Sequence, residues 1–343
     1  MQGLTVVRRS ARSLLMAIAT ILVLNGMAQP AAAGDHIRIA QQFGIGYLPL
    51  IVVKQQGLLE KAAAAEGITD LTVEWLQFSG AAAMNDALIS GNLDVASAGA
   101  PPMITVWART RNNLKVHGIA SLGSLPNYLN SNNPNVKTLK DFTESDKIAL
   151  PSVKVGFQPI VLQMAAAEAF GFDNYAKLDA LTISMPHPDA AVALLSGGGA
   201  ITAHFTSPPF QNVELKDPKI HRVLSSYDVL GGPHTFNVLY ATAAFHDANE
   251  KLIKALVEAL QQAVAFIAKD PKAAAALYAK AEKSPLSVDE IEALIRDKDN
   301  IFTVTPQRVE KFADFQYQVK QIDTKPDSWK DLFFPEIYDL PGS

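Results

Sequence analysis

ALISGNLDVASAGAPPM, residues 87–103, is stated a second time further along the chain as ALLSGGGAITAHFTSPP, residues 193–209. In each copy an Ala-rich helix stops at Ser-Gly, a short apolar strand follows, and the strand exits through small residues into a Pro-Pro pair. Ala87, Leu88, Ser90 and Gly91 align with Ala193, Leu194, Ser196 and Gly197, and Pro101-Pro102 aligns with Pro208-Pro209. The match reads either as a duplicated structural unit or as chance recurrence of a helix–Gly–strand element common in α/β chains. A duplication would give two similar α/β lobes whose exit loops face one shared site.

On the N-terminal side of the first copy, His36-Ile37-Arg38-Ile39-Ala40 alternates polar and apolar residues, which predicts a strand. Gln41 to Tyr47 is a Gly-containing loop, Pro49 fits the first turn of a helix, and Gly57 and Gly67 stop two helical pieces. Leu71–Leu76 is a β-branched strand, Ser79 is a candidate N-cap for a helix over Ala81–Ser90, and Leu93–Ala98 is a buried strand. Strand, loop and helix in this order predict βαβ units and a mostly parallel sheet, whose ligands bind beyond the carboxyl ends of the strands. Three such exits are Gln42–Tyr47, Phe78–Gly80 and Gly99-Ala100. The first two lead into helix N-termini, which favour an anion. One exposed terminus contributes only about 0.3–1 kcal/mol, whereas micromolar binding takes about 8 kcal/mol. A second lobe must therefore enclose the solute. Gly44-Ile45-Gly46 has no third Gly at the dinucleotide spacing, and no Gly-Lys-Ser or Gly-Lys-Thr occurs, which argues against a nucleotide phosphate.

On the C-terminal side, Ser121–Asn135 turns to Ser, Asn, Pro and Gly, a composition suited to a crossing between lobes. Tyr128–Asn130, Lys147–Leu150 and Thr182–Met185 read as strands, Pro151–Gln158 as an exit loop, Pro159–Phe170 as a helix, and Pro186–Asp189 as the cap of the helix in the second copy. That copy exits through His204-Phe205-Thr206-Ser207 where the first has Ala and Gly. Val238–Thr242 is a strand that returns the chain, and the remainder is helical. Leu252, Ile253, Leu256, Val257, Leu260, Val264 and Ile267 form one apolar stripe, Asp270-Pro271 caps the next helix, Ser287–Glu290 is a capping box, and Thr305-Pro306 starts another helix. These helices are expected to pack on the first lobe. The expected divisions are residues 1–33, 34–122 and 123–233, followed by a return to the first lobe over 234–343.

Residues 1–33 read as a secretory signal: Arg8, Arg9 and Arg12, an apolar run over Leu14–Met27, and Ala31-Ala32-Ala33 as a cleavage site. The run is shorter than the roughly 18–20 residues that span a bilayer. Removing this segment, which carries those three Arg and no acid, makes the formal charge of −4 more negative still. No basic face for nucleic acid is expected. The chain has no Cys, which excludes thiolate chemistry and leaves stability to packing. Its seven His are dispersed without metal-ligand spacing, so neither a metal nor a cofactor is expected.

Ile37-Arg38-Ile39-Ala40 before a Gly loop, Gln56-Gly-Leu-Leu-Glu-Lys61, Ser90-Gly-Asn-Leu-Asp94 and Gly99-Ala-Pro-Pro102 together resemble periplasmic solute-binding proteins of ABC importers, in the nitrate/sulfonate/taurine branch. The resemblance extends over nearly all of the chain after residue 33. It implies the type II periplasmic-binding fold: two α/β lobes with mostly parallel sheets around a ligand cleft. It also implies a small-molecule solute, delivery to an ABC permease in the inner membrane, and a periplasmic location; a monomer is expected. Ala203–Phe210 departs from the small-residue and Trp-containing versions of alkanesulfonate binders. Enzymes that use the same fold, a desulfinase and a pyrimidine synthase, depend on Cys that this chain lacks. A hydrolase built on Ser152 or Ser207 with His204 or His187 has no Gly-x-Ser-x-Gly elbow behind it. A solute-binding protein rather than an enzyme is therefore expected, with a periplasmic ligand sensor as a further reading. The expected ligand is a small organic anion or zwitterion: a sulfonate, taurine, nitrate or an aromatic carboxylate.

The candidate ligand-binding residues follow from the strand exits. The first lobe supplies Gln42, Phe43, Tyr47, Phe78, Ser79, Gly80, Gly99 and Ala100, and the second Ser152, Lys154, Gln158, His204, Phe205 and Thr206. Ser, Thr and Gln would donate hydrogen bonds to a headgroup, Lys154 would supply charge, and His204 would donate or titrate near neutrality. The aromatic side chains would wall the cleft.

Overall fold

The computed structural model describes residues 36–343, so the expected signal segment lies outside the described residues. Ten strands are present among these residues: β1 (His36–Gln41), β2 (Thr72–Gln77), β3 (Ala96–Gly99), β4 (Val116–Ser121), β5 (Tyr128–Ser131), β6 (Ile148–Leu150), β7 (Thr182–Ser184), β8 (Ala203–Thr206), β9 (His221–Ser225) and β10 (Asn237–Thr242). β1 pairs parallel with β2, and β10 lies antiparallel between β3 and β4. A parallel bridge from Ile39 to Val95 joins the two groups, with Ala40 N–H donating to Val95 O and Val95 N–H to Arg38 O, both at 3.0 Å. The first sheet therefore runs β2-β1-β3-β10-β4, and the second runs β7-β6-β8-β5-β9.

The two orders correspond strand for strand. In each, two βαβ steps bring the third parallel strand to the centre, and one strand runs against the rest: β10 in the first sheet and β5 in the second. The repeated sequence occupies equivalent places, helix Ala81–Ile89 with β3 and helix His187–Ser196 with β8. The chain crosses from β4 to β5 and returns from β9 to β10, so the second sheet lies wholly within residues 128–225. This is the α/β class and two-lobed architecture expected.

Local chemistry explains the frame. β1 buries Ile37 and Ile39 fully while His36 stays exposed, the alternation of a strand with one face on the core. Arg38 grips Asp94 through two side-chain bonds (Nη2–Oδ1 2.7 Å, Nε–Oδ2 3.0 Å), and the Arg38 backbone N–H donates to the same carboxylate at 2.8 Å. Asp94 thereby pins the first copy of the repeat to β1. Helix Glu250–Lys269 lays Leu252, Ile253, Leu256 and Leu260 on the helices Leu48–Gln56 and Leu58–Ala65 of the first lobe. Asp270 accepts from Ala273 N–H, and Ser287 and Glu290 close a capping box on helix Val288–Arg296.

Four local expectations change. Gly80, not Ser79, stands at the cap of helix Ala81–Ile89, and Ser79 is exposed. Pro101-Pro102 lies inside the first turn of helix Ala100–Thr110, whereas Pro208-Pro209 precedes helix Phe210–Glu214. The helix expected from Pro159 begins two residues earlier, at Phe157. The helix expected at Thr305-Pro306 begins at Val309, because Thr235 N–H donates to Gln307 O (2.9 Å) and Gln307 N–H to Thr235 Oγ1 (2.8 Å), holding the preceding segment against the return crossing.

Candidate functional site

The carboxyl ends of the parallel strands in both lobes face each other, and three glycines of the first lobe set how closely they meet. A Cβ on Gly80 would fall 2.4 Å from Ser152 Oγ and 2.5 Å from Pro151 O. One on Gly99 would fall 2.6 Å from Phe157 Cβ, and one on Gly44 would fall 3.0 Å from Pro208 O. Hydrogen bonds cross the same seam: Ile45 N–H donates to Pro208 O at 3.0 Å, and Ala82 N–H to Ser152 Oγ at 3.3 Å. Ser152 of the second lobe thus caps a helix of the first, the role expected of Ser79. Phe157 inserts beside Gly99 among Phe236, His234 and Phe312, with ring centroids 4.9–5.6 Å away. The lobes are closed on one another.

Closure leaves a cavity of about 20 Å³ between Gln42, Phe43, Tyr47, Ala81 and Gly99 on one side and Pro151, Ser152, Gly156, Phe157, Gln158 and His187 on the other, with Phe236 and Asn237 at the crossing. At this degree of closure the space suits a headgroup of a few atoms. Ala81, Phe157 and His187 are the first residues of their helices, so three helix N-termini end on the cavity from both lobes. The fourth neighbouring helix contributes least, because Ala100 N–H already donates to Phe236 O at 2.9 Å and Pro101 and Pro102 have no N–H, and the helix at Ala81 has one of its N–H groups, that of Ala82, already given to Ser152 Oγ. Among the described residues no Lys, Arg, Asp or Glu lines the space. The polar groups are neutral: Gln42, Ser152, Gln158, His187 and Asn237. Asn237 Nδ2 is buried and has no partner among the described residues, an orphaned donor where a ligand acceptor would sit. Tyr47 is a wall rather than a titrating group: burial pushes its phenol well above the usual range, and its hydroxyl donates to Ser97 O at 3.4 Å.

A family model described as the NMT1-like family matches residues 34–281. The chain belongs to the NMT1-like family. Solved structures similar to this NMT1-like chain include the alkanesulfonate-binding protein SsuA of Xanthomonas axonopodis pv. citri bound to MOPS. It has a TM-score of 0.68 and 17% identity, over 85% of this chain and 96% of that one. The periplasmic aliphatic sulphonate binding protein SsuA of Escherichia coli matches with a TM-score of 0.62 and 19% identity, over 88% and 92% of the two chains. The periplasmic nitrate-binding protein NrtA of Synechocystis PCC 6803 matches with 0.68 and 16%, over 88% and 86%. Each is a binding protein, and the likeness establishes the two-lobed periplasmic-binding fold. No curated protein sequence matches the chain significantly.

Of the residues singled out in the sequence, Gln42, Phe43, Tyr47, Gly99, Ser152 and Gln158 line the cavity, and Gly80 sits at the seam. The others are elsewhere. Lys154 is exposed, turned out by a left-handed backbone (φ 65°), so the cavity receives no charge from it. Ser79 is exposed, Phe78 packs partly against the core, and Ala100 is buried in its helix. His204, Phe205 and Thr206 belong to β8, a central strand fully covered on both faces, and lie behind the cavity wall. Phe157, Phe236 and Asn237 were not among the candidates, and His187 was considered only as a hydrolase base. The signal for His187 was present: it opens the helix after β7, a strand exit equivalent to Phe78–Gly80. Neither Ser152 nor Ser207 bonds to His187 or His204 among the described residues, so no nucleophile–base pair is assembled.

Proposed function

We propose that this NMT1-like protein is the periplasmic solute-binding component of an ABC importer, that it closes two lobes over a small organic anion or zwitterion, and that it hands the solute unchanged to a membrane permease. The observation that carries this reading is the cavity itself: three helix N-termini, neutral donors and an orphaned Asn237 amide converge where the lobes meet. Each terminus in a partly buried setting contributes up to about 2 kcal/mol toward an anion, and each hydrogen bond to a charged acceptor about 1.5–3 kcal/mol. Three termini with two or three such bonds reach the roughly 8 kcal/mol of micromolar binding without a formal positive charge. Phe43, Tyr47, Phe157 and Phe236 flank the headgroup and favour a solute with an apolar or planar part.

The sulfonate- and nitrate-binding neighbours fit this chemistry. The test is a thermal-shift screen with alkanesulfonates, taurine, nitrate and aromatic carboxylates, with product analysis of each mixture. A solute at one hundred times its Kd adds about 2.7 kcal/mol, a shift of several degrees. Stabilisation without turnover supports the proposal; product formation would make the protein an enzyme.

A further inference from the structure

Behind the cavity wall lies a row of buried titratable groups that solute binding alone does not call for. Glu214, on helix Phe210–Glu214, is fully buried, and its Oε1 stands 2.5 Å from His204 Nδ1. Its Oε2 accepts from Asn130 Nδ2 at 2.8 Å. His204, equally buried, places Nε2 at 2.9 Å from His187 Nδ1. His187 lines the cavity, stacks on Phe210 (5.5 Å between centroids), and has its Nε2 at 3.5 Å from Gln158 Nε2.

The chemistry of these atoms fixes the direction of the row. A carboxylate only accepts, so His204 Nδ1 carries a hydrogen. With both rings neutral, His204 Nε2 is then a lone pair, His187 Nδ1 must donate to it, and His187 Nε2 is a lone pair that faces the Gln158 amide nitrogen, itself held by Asn127 Oδ1 at 3.0 Å, at the edge of the cavity. That form presents an acceptor to the solute and leaves Glu214 as an uncompensated buried charge, an expensive arrangement. One added proton on His187 reverses both features: His187 Nε2 becomes a donor, and the row that ends on Glu214 gains a positive charge.

We propose that His187 is the solute-contacting end of a proton relay formed with His204 and Glu214, and that an anionic solute is captured together with one proton drawn from solvent. This rests on the anion-binding reading above. The groups facing the two rings are Glu214 from its helix, Gln158 from helix Phe157–Phe170, Asn130 from β5 through Glu214, and Thr206 from β8, whose Oγ1 is 3.3 Å from His187 Nδ1. Asp189, in the first turn of the helix that carries His187, is exposed. Burial, followed by the nearby His204, holds His187 well below its ordinary range, so the free protein starts with the ring neutral. The N-terminus of its own helix opposes protonation too. The entering anion supplies the missing favourable charge, and by linkage affinity must tighten as pH falls.

The test is calorimetric titration of wild-type protein with methanesulfonate and with benzoate, neither of which titrates near neutrality, in buffers of different ionisation enthalpy. The expected result is uptake of close to one proton per bound anion at pH 7. Kd should fall by up to about tenfold per pH unit between pH 8 and 6. His187→Gln keeps a neutral donor but cannot titrate, so it should bind without proton uptake and with a flat pH profile. Binding with no proton uptake, or a His187→Gln protein that keeps the wild-type pH profile, overturns the relay and leaves the binding function standing. No binding of either anion by wild type from pH 5.5 to 8.5 overturns the anion reading and the relay with it.

Discussion

Replacing Gly80 by Ala puts a methyl group where the second lobe closes. The new Cβ would lie 2.4 Å from Ser152 Oγ, 2.5 Å from Pro151 O and 3.1 Å from Pro151 C. Ser152 can turn its hydroxyl away, but the Pro151 carbonyl is backbone and cannot. Gly80 itself is extended (φ −173°, ψ 169°), a conformation any residue adopts, so the first lobe accepts Ala without strain. The cost therefore falls on the closed state. Overpacking of this kind costs about 1–3 kcal/mol, and at 1.4 kcal/mol per tenfold the Kd for the solute should rise about 5- to 150-fold. Calorimetry with the solute found by thermal shift measures the Kd, small-angle scattering with and without it measures closure, and denaturant unfolding of the free protein should move by no more than about 0.5 kcal/mol. A Gly80→Ala protein that binds and compacts like the wild type would refute the idea that the contact at Pro151 belongs to the liganded state.

Asp94→Ala should cost about 2 kcal/mol of stability by unpairing Arg38 and its backbone N–H, while the Kd for solute stays unchanged, as urea unfolding and calorimetry will check. His246 lies 4.0 Å above Phe334 and contacts Asp247 and Glu336 at 2.8 Å each. Burial pushes its imidazole down, but the two carboxylates outweigh this and hold it above its ordinary value. A raised folded pKa stabilises below the unfolded value and is lost as pH rises through the folded one, so His246→Ala should lower Tm more at pH 5.5 than at pH 8.5. Burial raises the Glu282 carboxyl to about 7, against Lys54 and Gln77. Its ionisation destabilises the fold progressively from about pH 4.5 upward, so Glu282→Gln should stabilise by about 1–2 kcal/mol at pH 8, after discount for partial exposure, and by little at pH 4.5. Equal Tm changes at both pH values would contradict either assignment.

Most of the architecture was legible because it is written in local patterns. The alternation in β1, the Gly stops, the capping box at Ser287 and the repeated phrase at 87 and 193 each act within a few residues of themselves. The site was legible in part because a strand exit can be located from sequence, whereas the direction a side chain takes from it cannot. Lys154 turns outward through a left-handed residue, and Ser79 yields its capping role to Ser152, a partner brought from the other lobe. His204-Phe205-Thr206 read as a loop wall because it fills places where the first copy has Ala and Gly. Its burial comes from β5 and β6 on either side, a pairing no local pattern announces. Asn237 was beyond reach for a similar reason: it approaches the cavity only because the chain returns through β10 to the centre of the first sheet.

The most direct test of the clamp is a crystal structure with the solute that gives the largest thermal shift. Its anionic group should lie between the N-termini of the helices that begin at Ala81, Phe157 and His187, bonded to Asn237 Nδ2 and to His187 Nε2. Solute bound on the outer surface of either lobe, with this cleft left to water, would contradict it.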